Sequence, residues 1–205
     1  MHPMTERLDA RTGVPIGLAL AALMAATRGQ WLAPLGQHLP DASLAVFLLA
    51  GFYLRPLRHG LGIFAALIGL ATAIDLAAVG WGGVSAYCLS PAYGLLLPAY
   101  GIAWLGGRWL RERLPQGAAA LPLLAATLVL VGALSEAFSS GGFYLFSGRF
   151  ADPSLVGFGH SLIDYLPQTL LALFTYVGLA VLVHLSLAAP RLGTDRGVPG
   201  DTARR

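Results

Sequence analysis

The sequence predicts an all-α, polytopic membrane protein: six transmembrane helices in one bundle, with both termini on the cytoplasmic side. Three observations predict it. The 205-residue chain is 56% hydrophobic and only 11% charged, with a mean hydropathy of +0.68. Soluble domains carry about 25% charge, and a fold this apolar would expose a largely greasy surface to water. The apolar residues gather in six segments, 14–27, 40–54, 60–81, 91–107, 117–138 and 166–188. The arginines fall in alternate links between those segments, as the positive-inside rule requires of a multi-pass chain.

The first segment, "VPIGLALAALMAA", has the length of a signal-peptide core. Thr27, Arg28 and Gln30 follow it closely and the rest of the chain repeats its pattern, so it reads as a first helix. It and the second segment are short, near the length where a buried or re-entrant helix competes with a span. The third, fifth and sixth are long enough to cross a hydrocarbon core of about 30 Å. The fourth contains Pro98 and several glycines, which membrane helices tolerate when neighbours satisfy the freed backbone groups.

The arginines decide the count. All 13 basic residues are arginine. With six spans, eleven of them share one side: Arg7, Arg11, Arg55, Arg58, Arg108, Arg111, Arg113, Arg191, Arg196, Arg204 and Arg205. Only Arg28 and Arg149 lie on the other. Dropping either short segment breaks this alternation. The rich side is the cytoplasm, so the loops carrying Cys88 and Arg149 face outward. Trp31, Trp81, Trp104 and Trp109 fall near predicted helix ends, where indole favours the membrane interface. Residues 1–190 form a single membrane domain, and the polar stretch 191–205 reads as a disordered tail. There is no "GxxxxGK[ST]" and hence no nucleotide site of that kind. The net charge of +3 comes without a basic run interleaved with aromatics, which argues against nucleic acid.

Few residues here carry chemistry. Gly17, Ala21 and Ala25, flanked by Ala22 and Ala26, make a small-residue stripe on the first helix. Such a stripe allows close helix approach, either within the bundle or against a partner membrane protein. Asp75 lies about 22 Å along the third segment at 1.5 Å per residue, in the outer third of the bilayer. A carboxylate there needs a cavity, a partner or a proton, and an outward-open pocket is the favoured role over a structural hydrogen bond. Glu136 falls near the outer end of the fifth segment, where it is expected to snorkel to water in a structural role. His184 falls near the inner end of the sixth and reads as structural too.

The stretch 139–165 is expected to be a long outer loop. Its aromatics (Phe143, Tyr144, Phe146, Phe150 and Phe158) argue against disorder. Arg149, Asp152, His160 and Asp164 give it polar handles, as a lid over a partly apolar ligand or an interfacial segment would have.

Cys88 is the only cysteine, in the loop "GWGGVSAYCLSPAYG" that has no arginine. It is no disulfide partner within this chain. It is either a small hydrophobe at a helix end or a soft thiolate for a transition metal. One thiol without a nearby histidine pair makes no protein-only metal site, so any metal there brings its other ligands with it.

The six-helix plan, the Ala-rich first helix and the spacing of Asp75, Cys88 and Tyr93 resemble the BtuM family. These are small bacterial cobalamin transporters related to the substrate-binding S-components of energy-coupling-factor transporters. The resemblance covers most of the membrane region. It implies an S-component-like bundle in the bacterial inner membrane that binds and takes up cobalamin (vitamin B12). It implies that Cys88 coordinates the corrin cobalt axially and supports decyanation of cyanocobalamin. It casts Asp75 and Tyr93, with Tyr87 beside the thiol, as pocket residues; Arg149 joins them on its chemistry alone. It also implies that the Gly17, Ala21 and Ala25 stripe is the face by which S-components dock a transmembrane coupling protein, although members of this type are described as solitary. Two other readings stay open from the residues: a transporter of the same plan for another vitamin or a metal, and an intramembrane thiol- or serine-dependent enzyme. The enzyme needs a base close to its nucleophile: His184 falls on the opposite face from Cys88, His38 and His160 fall in outer loops, and no serine motif typical of an intramembrane protease is evident.

Overall fold

The computed structural model describes residues 10–28, 39–54, 57–81 and 89–193. Among these residues all regular structure is helical. Six α-helices follow in order: α1 (Ala10–Arg28), α2 (Ser43–Tyr53), α3 (Leu57–Gly80), α4 (Leu96–Arg113), α5 (Ala120–Phe146) and α6 (Leu155–Gly193). A 3-10 turn, Pro91–Leu95, leads into α4. Three stretches are long and apolar enough to cross a membrane: Gly60–Gly80, Gly117–Phe146 and Leu155–Leu187. Their outward faces carry Leu61, Leu76, Leu121, Leu130, Leu171 and Leu182, all more than half exposed. Large apolar side chains turned outward along whole helices suit a lipid solvent and not water.

The helix ends gather at two poles. Arg28 at the end of α1 meets Ser43 at the start of α2, Asp75 late in α3 and Tyr100 early in α4. At the other pole Arg111 Nη1, late in α4, donates to the carbonyl of Phe52 near the end of α2 at 3.0 Å. Tyr53 Oη lies 3.4 Å from His184 Nδ1, late in α6. Successive helices from α1 to α4 therefore alternate in direction.

α2 is the centre of the bundle. Its 11 residues rise about 17 Å, too short to cross about 30 Å of hydrocarbon as a helix. It is instead buried on nearly every side: Val46, Phe47, Leu48 and Ala50 are all at 1% exposure or less. Its closest neighbour is α4, and the contact is backbone on backbone. A Cβ on Gly51 would overlap the carbonyl oxygen of Trp104, and one on Gly107 would overlap that of Leu48. Glycines on both helices thus allow an approach that no other residue permits.

Three expectations are corrected. The long outer loop at 139–165 does not exist as such: α5 continues to Phe146 and α6 starts at Leu155, which leaves only 147–154 between them. Ser139, Ser140, Gly141 and Gly142 look like turn residues in sequence, yet they lie inside α5. The two glycines are packing sites, with a Cβ on Gly141 blocked by Phe158 of α6 and one on Gly142 by Leu95. Pro167 lies inside α6. Trp104 is not interfacial. It is 6% exposed and packs beside Phe64 at 5.6 Å between ring centroids. Glu136 does not snorkel. Because α5 runs ten residues beyond it, its side chain is held inside the bundle at 4% exposure.

Candidate ligand-binding site

Asp75 and Tyr93 come together. Tyr93, in the 3-10 turn that Pro91 begins, donates its hydroxyl to Asp75 Oδ2 at 2.7 Å. Asp75 also receives a fork from Arg28: Nε donates to Oδ1 at 2.8 Å and Nη2 to Oδ2 at 2.7 Å. Parallel N–H···O bonds of this kind combine charge and geometry. The remaining guanidinium nitrogen, Nη1, donates to Tyr100 Oη at 2.7 Å, Ser43 Oγ at 2.9 Å and Asp41 Oδ2 at 3.1 Å. Asp41 in turn accepts from the Ser43 hydroxyl at 2.7 Å and from the Ser43 backbone N–H at 3.0 Å, which fixes the first turn of α2.

Arg28 is the hub of this cluster. Its side chain is only 10% exposed, against 22% for Asp75 and 50% for Asp41. One cation thus faces two carboxylates, and the more buried of the two takes the bidentate contact. A carboxylate offers about four lone-pair sites. Three of those on Asp75 are used by described residues: one on Oδ1 and two on Oδ2. The cluster ties α1, α3, α4 and the entry to α2 together at one pole.

Beside it lies a cleft of about 250 Å³ between α2, α4, α5 and α6. Asp41 and Tyr100 belong to both, so the Arg28 cluster touches the cleft through these two, while Arg28, Asp75 and Tyr93 do not line it. Glu136 of α5 also lines it. Ser140 donates to its Oε1, and Thr169 donates to its Oε2 at 2.5 Å. The cleft is smaller than the roughly 300–1,000 Å³ of ordinary ligand pockets.

The other sequence-derived candidates are spread out. Cys88 and Tyr87 lie outside the described residues. Arg149, Asp152, His160 and Asp164 are exposed on or near the short turn between α5 and α6. His184 is exposed at the opposite pole, beside Tyr53. On α1, Leu20, Met24 and Thr27 face inward and Val14, Leu18, Ala22 and Ala26 outward. Gly17, Ala21 and Ala25 lie on the flank between them, half-buried; Ala21 packs on the core, while Gly17 has open space beside its Cα.

Sequence reasoning missed Arg28, Asp41 and Tyr100 as site residues. The signal was there for Arg28. A carboxylate inside a membrane needs a named partner, and Arg28 is one of two arginines assigned to that side. No family model matches this chain, and no curated protein matches its sequence.

Proposed function

We propose that the chain is an S-component-like cobalamin-binding and uptake protein of the bacterial inner membrane, with cytoplasmic termini and six passes of the chain, of which α2 makes its own as a short helix buried inside the bundle. The outer pole is then the one that carries Arg28, Asp75 and the cleft. The observation that carries this reading is the joining of Asp75 to Tyr93, because those two residues bracket the loop with the sole thiol. Cys88 precedes Tyr93 by five residues, so the Asp75–Tyr93–Arg28 cluster anchors one end of the Cys88 loop. Asp75 and Tyr93 act as positioning residues.

The chemistry of Cys88 follows from its isolation. The corrin supplies four equatorial nitrogens, so one protein thiolate suffices as an axial ligand. The thiolate displaces the nucleotide base from one face of Co(III), so that a Co–S bond replaces the Co–N bond on that face, and donates electron density through the metal. The cobalt–cyanide bond on the opposite face weakens, and cyanide leaves with the bonding pair and takes a proton from water. Cobalt keeps its oxidation state. The small-residue flank of α1 offers a surface for a transmembrane coupling protein, or goes unused if the protein works alone.

Binding to a panel of vitamins tests the substrate class. The detergent-purified protein is expected to bind cyanocobalamin and to ignore riboflavin, thiamine and biotin at the same concentration. Saturable binding of one of those three, with none of cyanocobalamin, removes the proposal.

A further inference from the structure

Glu136 is a buried carboxylate whose hydrogen-bond partners among the described residues, Ser140 and Thr169, are neutral hydroxyls. Two of its roughly four lone-pair sites are taken, and neither donor brings positive charge. An acid inside a membrane bundle in that condition is costly unless something else meets it. It faces a cleft of about 250 Å³. A bare metal ion fills a small fraction of that space, and the described residues contain no group of three or more His, Cys, Asp or Glu that would hold one. The space and the free acceptors suit an organic group with N–H donors. Asp41, which also lines the cleft, is already paired with Arg28, which leaves Glu136 as the strongest acceptor. Gln168 and Tyr165 also line the cleft and are exposed, with polar groups that reach a carbonyl oxygen.

We infer that this cleft is the subsite for one primary carboxamide arm of the ligand, with Glu136 accepting its N–H2 and the Gln168 side of the cleft meeting its oxygen. The inference rests on the cobalamin reading, because a corrin rim carries several such arms and is itself far too large for the cleft. It names which wall of the bundle reads them, and a residue outside the Cys88–Asp75–Tyr93 set.

The test uses cyanocobalamin and its three monocarboxylic derivatives, in each of which one propionamide is hydrolysed to a carboxylate. On the wild-type protein one derivative should bind about tenfold or more weaker than cyanocobalamin, because its carboxylate meets Glu136. Glu136→Gln removes the repulsion, so that derivative should regain its affinity while cyanocobalamin itself weakens by about tenfold. Gln168→Arg, an exposed change at the rim of the cleft, serves as a second variant and should shift preference toward the same derivative. Equal binding of all three derivatives and cyanocobalamin by the wild type overturns the inference. So does a derivative whose deficit persists unchanged in Glu136→Gln and in Gln168→Arg. A wild-type protein that binds none of the four overturns the cobalamin reading itself, which is a different result.

Discussion

Replacing Arg28 with methionine is expected to lower the stability of the detergent-solubilised protein by roughly 3–5 kcal/mol, the cost of stranding a buried charge after its partner is removed. Asp75 loses both arms of its fork, and among the described residues Tyr93 stays on the carboxylate. Asp41 is half exposed and rehydrates, so most of the loss belongs to Asp75. Arg28→Lys keeps the charge but cannot span Asp75, Ser43 and Tyr100 together, and should fall between wild type and methionine. The double change Arg28→Met with Asp75→Asn should recover part of the loss, because no uncompensated anion remains. Thermal unfolding in one detergent measures all four proteins. A single methionine change that unfolds within a degree or two of wild type would show that the cluster contributes little.

Gly51→Ala and Gly107→Ala should be the most damaging small changes in the chain, each above about 3 kcal/mol. Added methylenes in tight cores typically cost 1–3 kcal/mol through movable side chains. Here each new methyl meets a backbone carbonyl of the facing helix, Trp104 for one and Leu48 for the other, so α2 and α4 must separate. That separation opens the core around Phe47, Tyr100 and Trp104, where the Phe47 and Tyr100 rings stack at 4.4 Å. Tyr100 also belongs to the Arg28 cluster, so the damage reaches the site. Gly17→Ala is the control: nothing lies within 4 Å of the new atom, and alanine favours the helix. It should be neutral or slightly stabilising. Yield of monodisperse protein and unfolding temperature separate the three, and equal behaviour of Gly51→Ala and Gly17→Ala would contradict the backbone-contact account.

The long apolar helices were legible because membrane solvation writes itself into composition. α2 was legible only as a short apolar segment. That its residues sit at the centre follows from Gly51 and Gly107, whose pairing across 56 positions no local pattern reveals. The region 139–165 misled for a physical reason. Ser, Gly and Pro punctuate helices in water, but inside a bundle Gly141 and Gly142 admit Phe158 and Leu95. The same extension of α5 explains Glu136, which would reach water if the helix stopped at 138. Asp75 and Tyr93 were singled out from the sequence, and the structure joins them by a hydrogen bond. Arg28 was counted as a topological charge when it was the partner that Asp75 required.

The central claim is that the single thiol ligates cobalamin cobalt. Absorption spectra of the protein loaded with cyanocobalamin, wild type beside Cys88→Ala and Cys88→Ser, test it most directly. The account predicts a thiol-dependent shift of the corrin bands and loss of the cyanide ligand in the wild type only, with cobalamin still bound by both variants. Identical spectra and identical cyanide release in all three proteins would contradict it.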